Sequence, residues 1–337
     1  MHYKTKGVVL ISVLMIVLLL SSVAVLIGNN YFVSFKRAQY AEFQTVSLNI
    51  FRNIESLAQK KIDNELRFNS KVHAKNNALF INDFIFELNK GIVTAKITDA
   101  SNCFNINSIV KKVKNKFIPN DKSIEVFKKF MSFNEVDQNL AEEAIDQVID
   151  WIDTDSNPRA YGLEDYYYSG PLNNPKEYTG SRLFYDLAEL KGLPAIRKIG
   201  WTMFENNFCA FPDNNLNLNI NTLEMHHDML LASMFTNMPY TDAQYILDNI
   251  PEEGFRDIND LKRAFPSYEL DNGNIHIGFS SSKFMLTTRF SYESYVSDSV
   301  SKIYYGAESD ESFSELLSSS DSSELDEEED SCLQESQ

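Results

Sequence analysis

The sequence predicts an α+β chain: one long amino-terminal helix that lies partly in a membrane, a helical middle, and a closing set of antiparallel strands. Three observations carry this. Val8 to Gly28 (VVLISVLMIVLLLSSVAVLIG) is a run of 21 residues without a charge. The middle of the chain repeats apolar residues at spacings of three and four, and the far end changes to short runs bounded by turns.

At about 1.5 Å per residue, a helix over Val8–Gly28 spans the roughly 30 Å hydrocarbon core of a bilayer. The preceding stub MHYKTKG carries Lys4 and Lys6, which keep the amino terminus cytoplasmic and send everything after Asn29 to the other side. A secretory signal peptide shares this order, but its apolar region is only about 7 to 15 residues. Past the membrane, Phe43, Val46, Ile50, Ile54 and Leu57 form one apolar stripe that continues the helix into water. A basic leader ending at Gly7, followed by a membrane helix that continues as an amphipathic one, resembles the start of a type IV pilin or pseudopilin. The resemblance implies a prepilin peptidase cut between Gly7 and Val8, with methylation of the new terminus.

The remaining length holds one large or two modest soluble domains, and 43% hydrophobic residues suffice for real cores. The net charge of −17 is uneven: Glu308 to Gln337 contains 12 acidic residues and no basic one, which leaves 31 basic against 36 acidic residues elsewhere. That tail of Ser and acid has too few apolar residues to offset the entropy of ordering, so it is expected to be a disordered, solvated segment. Cys103, Cys209 and Cys332 show no metal-ligand spacing. In an oxidising compartment Cys103 and Cys209 are candidates for a disulfide, although two buried free thiols would read identically.

Ile92 to Thr98, entered from Lys90-Gly91, fits a strand. Phe104 to Ser108 (FNINS) is then echoed by Leu218 to Thr222 (LNINT), each placing an Asn or Ser/Thr cap before a helix. Ala141 to Ile152 puts Ile145, Val148, Ile149 and Ile152 on one face, with Asp146 and Asp150 elsewhere around the helix. Further helices are expected at Leu183–Leu190, Met229–Phe235, Thr241–Ile250 and Phe255–Phe265, with His226-His227 on a helix surface. Asn274–Phe279, Ser282–Phe290 and Val300–Tyr305 read as an antiparallel meander that closes the fold.

The most concentrated chemistry is DWIDTDSNPRAYGLED. Asp153, Asp155, Asn157 and Glu164 occupy relative positions 1, 3, 5 and 12, the oxygen-ligand spacing of a calcium loop after a helix. Pro158 stands where an EF-hand requires Gly, so this is a different loop with the same ligand logic. Asp150 and Asp165 add two carboxylates within reach, and an all-oxygen set favours calcium over zinc or copper. Two other readings share these residues: a solvated acidic surface, and a membrane-anchored periplasmic enzyme in which paired carboxylates act as general acid and base. The segment KGLPAIRKIG resembles a helix-hairpin-helix turn, but the acidic balance argues against nucleic-acid binding.

The leader, the DWID loop, ELKGLPAI and LNINT, in this order, resemble the minor pseudopilin K family of the type II (general) secretion pathway, from the leader to about Tyr305. The fifth residue after the cut is Ser12, where most pilins have Glu, and K-type proteins share that lack. The resemblance implies a pilin-like fold, a long helix on an antiparallel sheet, with a large inserted all-α domain. It implies a non-enzymatic, calcium-stabilised subunit of the inner membrane, its carboxyl-terminal domain periplasmic, that caps the pseudopilus tip with the I and J minor pseudopilins and takes no small-molecule substrate. Carried over residue by residue, the acidic loop is Asp150, Asp153, Asp155, Asn157, Glu164 and Asp165, with GLE at Gly162–Glu164 in place of the family's GAE. The expected organisation is a leader at 1–7, a transmembrane segment at 8–28, helix continuation and first strands at 29–111, the inserted domain at 112–216, a second helical segment and closing strands at 217–306, and the tail at 307–337.

Overall fold

The structure, a computed structural model, describes residues 6–69, 72–89, 91–114, 116–171, 175–266, 277–305 and 313–317. Helix α1 (Lys6–Asn69) contains the apolar segment and runs on without a break. A single turn, α2 (Ala78–Ile81), leads to the hairpin β1 (Phe84–Leu88) and β2 (Gly91–Asp99). The chain then leaves the sheet and returns as β9 (Lys283–Tyr292) and β10 (Tyr295–Tyr304), with β11 (Phe313–Leu317) after them. These five strands form one antiparallel sheet in the order β1-β2-β9-β10-β11.

Alternation puts Val93, Ala95 and Ile97 of β2 on the buried face, opposite Phe290, Thr288 and Leu286 of β9. Helix α1 covers that face with Phe43, Phe51, Ile54, Ala58 and Ile62. The stripe differs from the expected one. Val46 and Leu57 are exposed, while Ser47 is buried at 1%. The positions that face the sheet are 43, 47, 51, 54, 58 and 62; Ser47 is tolerated there because it is small and its hydroxyl donates to the Phe43 carbonyl at 2.7 Å. Reading only apolar identity selects the neighbouring stripe.

The sheet also has a direction. Tyr295, at the β9–β10 turn, packs on Tyr40 and Phe43 near the apolar segment, whereas Tyr305 donates to Asp63 at the other end of the helix. Residues 100–282 are inserted at this second end, between Asp99 and Lys283. A buried polar hub ties the insert there: Asp99 Oδ2 accepts from Asn219 Nδ2 (3.0 Å), Thr222 Oγ1 (2.6 Å) and Ser281 Oγ (2.5 Å).

The insert holds β3 (Phe104–Asn105), the hairpin β4 (Val110–Val113) and β5 (Lys116–Pro119), α3 (Asp121–Phe133), α4 (Gln138–Ile152), α5 (Asp165–Tyr168), a 3-10 helix at Leu187–Gly192, α6 (Pro194–Ile199), α7 (Trp201–Asn207) and β6 (Phe208–Cys209). It continues with β7 (Leu218–Asn219), α8 (Asp228–Met234), α9 (Tyr240–Asp248), α10 (Ile258–Ala264) and β8 (Ile277–Gly278). One cluster of buried residues runs from Phe104 to Phe265, so the expected boundary at residue 216 falls inside a single core.

The FNINS/LNINT echo is the visible end of an internal duplication. In each copy a two-residue strand enters a 3-10 turn capped by the first Asn: Asn105 accepts from Asn107 N, and Asn219 from Asn221 N. Two helices follow, the second ending Val148-Ile149-Asp150-Trp151-Ile152 in the first copy and Ile246-Leu247-Asp248 in the second, where Asn249-Ile250 come just after it. Then comes Phe184-Tyr185-Asp186-Leu187 or Phe255-Arg256-Asp257-Ile258, whose Asp caps the next helix.

The second Asn clamps that Phe in both copies. Asn107 Oδ1 accepts from Phe184 N (2.8 Å), and its Nδ2 donates to the Phe184 (2.9 Å) and Phe211 (2.7 Å) carbonyls. Asn221 repeats this with Phe255 N (2.7 Å) and the Phe255 (2.8 Å) and Phe279 (3.2 Å) carbonyls. Gly254, at φ +72°, is required beside this clamp, since a Cβ would press on the Asn221 amide.

Other expectations change. The Asn274–Phe279 run does not join the meander: its described part, β8, pairs in parallel with β7, and residues 274–276 lie outside the described residues. Leu183–Leu190 is a 3-10 helix starting at Leu187. His227 is buried, with Nδ1 accepting from Glu224 N, so only His226 of that pair is at the surface. Within the expected tail, Phe313–Leu317 pairs with the free edge of β10, because FSELL can offer backbone groups to it; the rest of 307–337 lies outside the described residues.

Candidate metal centre

Helix α4 starts under Asp137, whose carboxylate accepts from Asn139 N and Leu140 N, and its apolar face is fixed in the core. Asp146 and Asp150, expected elsewhere around the helix, are buried too, at 9% and 0% exposure. They hold the following loop. Asp150 Oδ2 accepts from Arg159 N (3.0 Å), while Asp146 takes Arg159 Nε (2.7 Å) and Tyr161 N (3.1 Å). Gly162 then passes so close to Asp150 that a Cβ would overlap its carboxylate, so glycine is obligatory in GLE.

Folded back in this way, the loop brings one oxygen each of Asp153, Asp155 and Glu164 within 4.8 Å of one another. Glu164 is 3% exposed. Asp150 Oδ1, Asp153 Oδ1 and Glu164 Oε1 are buried without a hydrogen-bond partner among the described residues. Buried polar atoms are normally satisfied, and converging carboxylates repel. Burial first, then the neighbouring acidic charges, pushes Glu164 up to about 7. Burial likewise raises Asp150 and Asp153 to about 6, with Asp153 adding to Asp150 and Asp155 to Asp153. A divalent cation relieves both costs, and an all-oxygen donor set suits calcium.

The other two candidates have supporting places. Asn157 donates from its backbone N (2.9 Å) and Nδ2 (3.1 Å) to Asp155 Oδ1, which orients that carboxylate. Asp165 lies at the start of α5 and accepts from Thr179 N (2.8 Å) and Oγ1 (2.9 Å), closing the far side of the loop. An aromatic wall that spacing did not reveal backs the site: Trp151 stacks on Phe184 at 5.8 Å and meets Tyr168 edge-on at 5.4 Å. Burial raises the Tyr168 hydroxyl, which keeps it neutral. Of the leader residues, Gly7 and Val8 lie in the first turn of α1. Cys103 and Cys209 are joined as a disulfide, with Cα atoms 5.8 Å apart, beside the β3–β6 pair.

Two family models, both described as type II secretion system (T2SS) protein K, match residues 102–213 and 218–275, one on each copy of the duplication. The chain is 25% identical over 192 residues to type II secretion system protein K of Aeromonas hydrophila, covering 55% of this chain and 57% of that one. It is 30% identical over 169 residues to the protein K of Klebsiella pneumoniae, covering 48% and 49%. It thus spans about half the length of these two relatives. An Escherichia coli K12 protein, named provisionally as the same protein K, is 23% identical over 257 residues, or 76% of this chain and 78% of that one. A chain in the crystal structure of the GspK-GspI-GspJ complex from the enterotoxigenic Escherichia coli type 2 secretion system superposes with a TM-score of 0.71 at 18% identity. That match covers 84% of this chain and 99% of that one. It shows the fold.

Proposed function

Because the chain belongs to the type II secretion system protein K family, we propose that this component of the secretion machinery is the minor pseudopilin that caps the pseudopilus tip, a structural and not a catalytic role. The observation that carries the reading is the position of the insert. Residues 100–282 are attached at the end of the sheet farthest from the apolar part of α1, held by the Asp99 hub. A bulky domain there obstructs the stacking of a further subunit above it, while α1 remains free to pack among the helices of subunits below. Ser12 suits the same place, since a terminal subunit needs no carboxylate to neutralise the amino terminus of a neighbour above.

Calcium is the proposed resident ion. Asp153, Asp155 and Glu164 would hold it, with Asp150 behind them and Asn157 orienting Asp155; once bound, it supplies charge neutralisation that fixes the loop after α4. The partners are the I and J minor pseudopilins, by likeness to the GspK-GspI-GspJ complex. The proposed placement is single-pass in the inner membrane, with the basic stub cytoplasmic and the insert periplasmic. A prepilin peptidase would cut between Gly7 and Val8, and the new terminus would be methylated.

The test is the amino-terminal mass of protein extracted from cells with and without the prepilin peptidase, together with co-purification of tagged I- and J-type minor pseudopilins. We expect a peptidase-dependent start at Val8 and recovery of a ternary complex. An intact Met1, or a protein that engages neither partner, would overturn the reading.

A further inference from the structure

The β4–β5 hairpin carries Lys111, Lys112, Lys114 and Lys116, all exposed, in the sequence VKKVKNKF. None of the four forms an ion pair with a described residue. Lys128, Lys129, Lys198 and Lys283, by contrast, are each set against a carboxylate. Lys111 and Lys112 lie on β4 and Lys116 on β5, and Lys114, at φ +47°, lies between the two strands, so that one short ribbon carries all four ammonium groups. Four like charges so close together on a chain of net charge −17 attract whatever acidic segment can reach them.

The chain supplies such a segment, and the hairpin lies within its reach. The Tyr304 ring at the end of β10 meets Phe211 edge-on at 5.7 Å. From Phe211 the chain passes through Asp213, paired with Lys283, to Asn214, whose Nδ2 donates to the Val110 carbonyl at the root of the hairpin. Beyond Tyr305, Phe313–Leu317 runs antiparallel along β10 from Tyr304 to Val300. Residues 318–337 follow, with Asp321, Glu324, Asp326, three consecutive Glu, Asp330 and Glu335, and no basic residue. At about 3.3 Å per residue they reach up to roughly 60 Å, several times the length of the strand they must retrace.

We propose that the lysine hairpin is the docking surface for this chain's own acidic carboxyl-terminal segment, residues 318–337. Single exposed ion pairs are weak and salt-screened, but the tether keeps the carboxylates at high local concentration around all four lysines. The docked tail shields the hairpin from other anionic surfaces, and salt releases it.

Carbodiimide cross-linking of the detergent-solubilised full chain, read by peptide mass spectrometry, tests this. At about 10 mM salt, where the Debye length is roughly 30 Å, links from Lys111, Lys112, Lys114 and Lys116 to carboxylates of 318–337 should exceed those from exposed Lys60 and Lys191. They should fall by about tenfold at about 1 M salt, where it is roughly 3 Å. In the K111Q/K112Q/K114Q/K116Q variant, links from the tail to Lys60 and Lys191 should rise as the released carboxylates sample other lysines, at an unchanged melting temperature. As a second variant, truncation after Leu317 should speed tryptic cleavage within Lys111–Lys116 several-fold at low salt. Tail links spread evenly over the exposed lysines, or cleavage unchanged by truncation, would overturn the proposal. So would links that join isotopically distinct chains, which would seat the tail on a second copy.

Discussion

The two copies inside the insert answer one structural problem with different means. Both use an Asn-x-Asn turn and clamp a Phe backbone with the second Asn. Between the end of the second helix and that Phe, the second copy uses residues 249–254, whereas the first uses residues 153–183. The aspartate at the equivalent helix position shows the consequence: Asp248 is exposed, but Asp150 is buried under the extra loop, with one oxygen unsatisfied among the described residues. The first copy carries a second addition. Its short parallel pair sets Cys103 beside Cys209 as a disulfide, while the same places in the second copy hold Asn217 and Gly278, the Asn side chain lying where a Cβ of Gly278 would go. The plain repeat is built as a turn and a clamp, and the copy enlarged by a loop has in addition a covalent tie and the proposed cation site.

The clamps are the shared element, so their removal should give the largest and most nearly equal effects. Asn107→Ala strands the Phe184 N–H and the Phe184 and Phe211 carbonyls, and Asn221→Ala the Phe255 N–H and carbonyl, since the Phe279 carbonyl still accepts from His73 N; each should cost about 3–5 kcal/mol in chemical denaturation. A small loss for one of them would mean that its copy is held mainly by other contacts, and the equivalence would fail.

That equivalence was only half legible in the sequence. FNINS and LNINT are visible as an echo because both Asn residues are needed in each turn. Their clamped partners, Phe184 and Phe255, lie 77 and 34 residues away, and nothing local marks them. The long helix, strand β2 and the helical middle were legible from periodicity, whereas β1 (Phe84–Leu88) was not read as a strand. The buried stripe of α1 was not, because Ser47 faces the sheet while Val46 does not. In the acidic loop, spacing selected the three carboxylates that converge, but Asp165 joined the candidates on proximity in sequence and is occupied with Thr179. Asp150 shows the opposite limit: residue type places it on a polar face, and only the returning loop buries it.

The covalent tie belongs to the first copy alone. Cys103→Ser with Cys209→Ser opens a loop of sequence separation 106 and should lower stability by about 2–4 kcal/mol. In hydrogen exchange, the β3–β6 region and Asn105–Asn107 should lose protection while Asn219–Asn221 keeps it. Equal loss in both copies would show that they unfold as one unit.

Calcium sharpens the comparison further. At a concentration 100-fold above its dissociation constant, an ion bound only to the folded state adds about 2.7 kcal/mol, which EDTA should remove. Asp153→Asn or Glu164→Gln should abolish the calcium-dependent rise in melting temperature. The accompanying change in hydrogen exchange should fall on residues 153–182 and spare 240–262. Identical melting with and without EDTA would refute the calcium assignment.

The smallest expected effect is in the second copy and concerns protons. Burial, aided by the adjacent His226, pushes His227 down to about 4, while the backbone N–H of Glu224 bonds its Nδ1; Lys75 also opposes its charge and Asp228 favours it. The folded state therefore keeps the ring neutral where the unfolded chain, near the ordinary 6.5, binds a proton. This contribution is complete above pH 6.5 and is lost as pH falls toward 4, amounting to about 2 kcal/mol by pH 5 at 1.36 kcal/mol per pKa unit. The metal-free acidic loop works in the opposite sense, because Asp150, Asp153 and Glu164 are raised and their protonation favours the folded state as pH falls. The two act in different copies, so His227→Gln separates them. In EDTA the variant should lose less stability than the parent between pH 6.5 and 5, while both keep the same acid-stabilising trend from the loop. Parallel pH profiles for parent and variant would remove His227 from the account.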